Sequence, residues 1–140
     1  LHQESLAIKR EVGDRLTEAV SLNTLGHVAQ KRGDLAKAER LHQESLTINR
    51  EIGDRKGEAA SQMYLGIIAK ARGELAKAER LHQEGLAITR EIGDRQNEAS
   101  SLSNLGIIAK ARGDLDEAER LKRESLVIMR DIGMPIDEEE

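Results

Sequence analysis

The chain has 140 residues, with 22 Lys and Arg against 26 Asp and Glu, a formal net charge of −4 and no cysteine. Mixed charge spread through the sequence argues against a general nucleic-acid or anionic-membrane binder, and a single aromatic residue, Tyr64, offers no stacking platform for bases. Disulfide and thiolate chemistry are excluded, no apolar run approaches the roughly 20 residues that span a bilayer, and a cytoplasmic setting is expected.

Taken from the start, the chain repeats itself. Leu41–Arg80 recurs as Leu81–Arg120 with 28 of 40 positions identical, is preceded by a related Leu1–Arg40, and begins again at Leu121. Such a period points to a solenoid, in which each unit buries its apolar face against its neighbours. The chain starts mid-repeat at Leu1 without a Met, which predicts a piece cut from a longer array.

Glycines punctuate the period. Gly13, Gly53, Gly93 and Gly133 share one phase, and Gly33, Gly73 and Gly113 share the other; all but Gly133 precede Asp or Glu. Gly suits the left-handed residue that ends a helix, and Asp the cap that starts the next. A lone second-type helix is expected over Leu1–Val12. First-type helices are expected over Arg15–Arg32, Arg55–Arg72 and Arg95–Arg112, and second-type helices over Leu35–Ile52, Leu75–Ile92 and Leu115–Ile132. Ala99, Leu102, Leu105, Ile108 and Ala109 recur at steps of three and four, as an amphipathic helix requires. Connections of two or three residues force antiparallel neighbours. The expected organisation is a half repeat at 1–13, repeats at 14–53, 54–93 and 94–133, and a frayed acidic tail at 134–140 that holds the only proline, Pro135.

These units resemble tetratricopeptide repeats. The signature reads Leu22-x-x-Leu25-Gly26-x-x-Ala29, Gln62-x-x-Leu65-Gly66-x-x-Ala69 and Leu102-x-x-Leu105-Gly106-x-x-Ala109, followed by Ala38, Ala78 and Ala118. Armadillo and HEAT repeats share the 40-residue period but not this phasing. The longer period and the Gly-Asp-Arg junction resemble the kinesin-light-chain-like branch, although the family's large aromatics are replaced. The resemblance implies an all-α fold, an α-solenoid of antiparallel helix pairs forming a right-handed superhelix of about three and a half repeats. It also implies a protein-interaction role, with first-type helices lining a concave groove.

Candidate sites follow from that frame. His2, His42 and His82 share one repeat phase, so they cannot converge on one ion. They are expected to replace the family's aromatic between paired helices, with no metal and no cofactor. Ser5, Ser45 and Ser125 read as small packing residues. There is no nucleophile–base–orienter set and no phosphate-cradling loop, so no enzyme is expected. Positions that vary between units mark the expected partner groove: Asn23 and Thr24, Met63 and Tyr64, Ser103 and Asn104; one turn on, His27, Ile67 and Ile107; and at the far rim Lys70 and Lys110, which favour acidic ligands. Asn104 resembles the family residue that clamps a peptide backbone, an amide being donor and acceptor at once. The expected function is binding of a peptide or helix by a module of a larger signalling or scaffold protein, without nucleic acid or membrane. The alternative is a self-assembling scaffold, a homo-oligomer stacking end to end through uncapped solenoid ends.

Overall fold

The structure is a computed structural model that describes residues 2–135. Among the described residues there are six helices and no strand: α1 (His2–Lys31), α2 (Leu35–Ile52), α3 (Arg55–Ala71), α4 (Leu75–Ile92), α5 (Arg95–Ala111) and α6 (Leu115–Asp131). The expected tail residues 136–140 lie outside the described residues, as does Leu1.

From α2 onward the helices stop and start at the expected glycines. Gly53 and Gly93 take φ of 73° and 71°, left-handed values that a side chain disfavours, and fold their backbone N–H groups back onto the last turn. Asp54 and Asp94 then accept from the N–H groups of Gly57 and Asn97, capping the next helix. Asp34 and Asp114 do the same at the other junctions, whereas the longer Glu74 makes no cap bond.

The first junction differs from expectation. The sequence places a helix end at Gly13-Asp14 and hence seven helices, but the chain runs as one 30-residue helix through both residues. Gly-Asp permits a break without forcing one. At Gly53 and Gly93 the break is held because α2 and α4 each pack against two first-type helices, and the contact within a pair is larger than the contact between pairs. A folded-back segment 2–12 would gain only the smaller, between-pair contact. Continuing the helix instead keeps every backbone hydrogen bond across Gly13.

Packing repeats with the period. Ile68 of α3 sits in the seam of the preceding pair, with Ala29, Ala38 and Leu41; Ile108 of α5 does the same with Ala69 and Ala78. The largest cluster joins Leu86 of α4 to Leu102 and Leu105 of α5 and Leu121 and Ile128 of α6. Small residues permit this closeness, Ala38, Ala78 and Ala99 being wholly buried. Consecutive helices pack in antiparallel order, and α3 also touches α5 directly, so first-type helices form one continuous face.

Candidate interaction groove on the first-type helices

The histidines define how each pair closes. The His42 ring lies flat against the backbone of Gly26, where an added Cβ would stand 2.6 Å from Nε2; His82 meets Gly66 in the same way. Both rings are fully buried. They take the place of the aromatic that pairs with this glycine, as the sequence leads one to expect; the side chain of His2 lies outside the described residues. Burial holds the His42 imidazole down to about 4, the nearby His27 adding to the effect, and burial alone does the same for His82. Both rings are therefore neutral at pH 7. The Nδ1–H of His42 donates to the Asn23 carbonyl at 2.9 Å, leaving Nε2 unpaired. The position that matches Asn23 in the second unit is Met63, whose thioether is only a weak acceptor, and the Nδ1 of His82 is unpaired. Ser45 and Ser125 are buried and donate to the carbonyls of Ala19 and Ala99 at 2.9 and 2.8 Å, so they are packing residues that tie one helix to another.

The variable residues of the first-type helices gather in two places. Near the start of the solenoid, Asn23, Thr24, His27 and Tyr64 line a cleft of about 280 Å³. Here His27 stands edge-on to Tyr64 with ring centroids 4.5 Å apart, and both rings also lie 5.1 Å from His42, joining α1, α2 and α3. At the other end Ser103, Ile107 and Lys110 line a cleft of about 670 Å³ with Leu115 and Ala118. Met63, Ile67 and Asn104 are half-buried between the two, and Lys70 is exposed.

Their chemistry divides further. The Asn23 amide is engaged within the scaffold, accepting from His42 and donating to Ser61 at 3.4 Å. Ser103 shares a 2.8 Å hydrogen bond with Ser125, and Thr24 donates back to the Val20 carbonyl. Asn104 has no such partner among the described residues, so its amide is available. Reasoning by variability overlooked Leu16 and Val20, exposed apolar residues that line the first cleft beside Tyr64. Their equivalents one and two periods on are Lys56 and Ala60, then Gln96 and Ser100, so the same comparison of units carries that signal.

The opposite face is charged and self-satisfied. Buried Glu58 takes Arg50 at 3.3 Å and Arg55 at 2.9 Å, and Glu98 takes Arg90 and Arg95 at 3.3 and 3.2 Å. Arg55 also pairs with Glu91, and Arg15 with Glu51. Hydrogen bonding from Lys77, aided by Arg72, holds the Glu39 carboxyl below its ordinary range. Among the described residues no three His, Asp or Glu side chains gather as metal ligands, and no helix is long and apolar enough to cross a membrane.

Stacked antiparallel helix pairs define an α-solenoid, a class whose successive units build one extended surface. The sequence profile of the Tetratricopeptide repeat family matches residues 1–51 and 57–131, and the chain belongs to that family. The fold is general to protein–protein interaction modules. Among solved structures the chain is similar to the TPR domain of Arabidopsis FLU, at 17% identity and a TM-score of 0.77 over 84% of this chain and 98% of that one. It is similar also to BtubC (BKLC) from P. vanneervenii, at 21% identity and a TM-score of 0.78 over 96% of this chain and 56% of that one. A third is the kinesin light chain-like, nearly identical TPR-like repeats of Podosopora anserina, at 21% identity and a TM-score of 0.71 over 82% of this chain and 56% of that one. No curated protein sequence matches the chain.

Proposed function

We propose that the first-type helices form a groove that binds an extended or helical peptide from a protein partner. The observation that carries this reading is an apolar strip along the outward positions of the first-type helices, Leu16, Val20, Tyr64, Ile67 and Ile107, set beside the half-buried amide of Asn104. Asn104 supplies a backbone clamp and the two exposed lysines, Lys70 and Lys110, favour an acidic ligand. Both lysines lie in or next to the last turn of their helices, where a cation also complements the helix dipole. The test is selection from a displayed peptide library, followed by the double substitution Tyr64→Ala and Asn104→Ala. Capture of selected peptides should fall at least tenfold; unchanged capture overturns the groove.

Self-assembly is the second reading. It is favoured by apolar side chains left uncovered at both ends, Leu25 and Val28 on α1 and Val127 and Ile132 at the end of α6.

A further inference from the structure

The straight path of α1 leaves two apolar surfaces open that the rest of the chain shows to be complementary. Residues 1–12, LHQESLAIKREV, match residues 41–52, LHQESLTINREI, at nine of twelve positions. In α2 this segment buries Leu46 and Ile48 to 2% and 5% exposure; in α1 the equivalents Leu6 and Ile8 stand 50% and 61% exposed. The surface that receives such a segment is open as well. Leu65 of α3 is 4% exposed, whereas Leu25 of α1 is 54%. Leu86 and Leu105, two periods on from Leu6 and Leu25, share one buried cluster and show how that pair would meet.

The polar groups match too. Ser61 is fully buried and lies 3.3 Å from Ser45, while Ser21 is exposed. Glu58 binds two guanidinium groups, from Arg50 and Arg55; among the described residues Glu18 binds Arg15 alone, at 3.3 Å, and the equivalent of Arg50 is Arg10. The one charged departure is Lys9 in the place of buried Asn49. Asn49 and Asp54 converge beside Gly57 on a point that the Cβ of the equivalent Thr17 takes up in α1, so Asp14 would pair with that ammonium to one side of Thr17.

Within one straight helix these two surfaces cannot meet. Ser5 and Ser21 are sixteen residues apart, about 24 Å along the axis. A second copy lying antiparallel satisfies both at once. We propose that two copies of the chain exchange residues 2–12, each segment packing on the Leu25 face of the other copy's α1, with Gly13-Asp14 at the crossing. The arrangement is isologous and closes at two copies, whereas stacking of α6 on α1 is heterologous and grows without limit. The proposal rests on the second reading above only in taking the α1 face to be covered in solution.

The experiment is oxidation of the double variant Ser5→Cys, Ser21→Cys, with light scattering on the unmodified chain. The chain has no cysteine, so any disulfide is the introduced one. The hydroxyl separation of the equivalent pair, 3.3 Å, fits the short side-chain approach that a bridge needs. Exchange predicts a covalent species at twice the 15.5 kDa chain mass, a plateau at that mass without oxidation, and return to the single mass in Leu25→Glu. The variant Val127→Glu, Ile132→Glu should keep the double mass. A bridge formed within a single chain, or no bridge and a constant single mass, overturns the exchange and removes support for self-assembly. A mass that climbs past two copies without the bridge, and is lost on substituting Val127 and Ile132, overturns the exchange while leaving end-to-end stacking standing.

Discussion

Helices α1 and α3 carry equivalent residues one period apart and meet different surroundings. Ile68 closes the seam between α1 and α2, and the matching Val28 faces no pair at all. Glu58 and Ser61 are buried among partners while Glu18 and Ser21 face solvent. The difference teaches that in this chain a side chain's contribution is set less by its place in the repeat than by whether another pair stands before it. That is the behaviour of a one-dimensional stack, where stability is the sum of unit and nearest-neighbour contributions.

The sharpest way to break the comparison is to truncate both members. Ile68→Ala should cost about 3 kcal/mol, the lost transfer free energy plus the cavity left behind. Val28→Ala, measured by urea unfolding at concentrations where the chain is a single copy, should cost under about 0.5 kcal/mol. Equal costs would mean that the α1 face is covered within one chain.

Next in size is the closing glycine. Gly66→Ala drives a methyl into the His82 ring and should lose about 2 kcal/mol even after the gain in helix propensity. In the last pair the position of the histidine holds Lys122, on α6, and a Cβ on Gly106 of α5 meets nothing nearer than the Ala118 carbonyl at 3.4 Å. Gly106→Ala should stay within about 1 kcal/mol of the parent. Thermal unfolding of the two variants decides whether the ring is the obstacle.

Acid should act through the same rings. The folded values of His42 and His82, about 4, lie below the ordinary 6.5, so the unfolded chain takes up protons first as pH falls. Stability from neutral burial is therefore complete above pH 6.5 and declines toward pH 4, where the folded rings also protonate. The urea midpoint should fall across that window, and His82→Gln should roughly halve the slope. A slope unchanged by the substitution would show that the ring is not held neutral.

The smallest effect concerns unpaired atoms peculiar to the second unit. Gln62 is buried with its carbonyl oxygen unpaired, where the other units have Leu22 and Leu102. Gln62→Leu should raise stability by about 1 kcal/mol. Met63→Asn, copying Asn23, should give His82 the acceptor that His42 has and add about 0.5 kcal/mol. Both are read from the shift in unfolding midpoint.

The residues proposed for the groove are legible as variation between units, because a position free of packing duties is free to differ. Thr24, Tyr64 and Asn104 are proposed on that ground. The engagement of Asn23 with His42 and Ser61, and of Ser103 with Ser125, was not legible, since each bond joins helices whose relative rotation no single helix encodes. Leu16 and Val20 escaped because one apolar residue among polar equivalents reads as noise until the cleft beside Tyr64 gathers them.

The sequence by itself determined the period, the helical character and the small residues at each crossing, because backbone propensity, turn chemistry and side-chain volume act locally. It could not decide what the Gly-Asp step at residues 13 and 14 would do. The same two residues end a helix at 53–54 and at 93–94 and are carried through α1, because packing on both sides, and not the glycine, holds the chain in its turn.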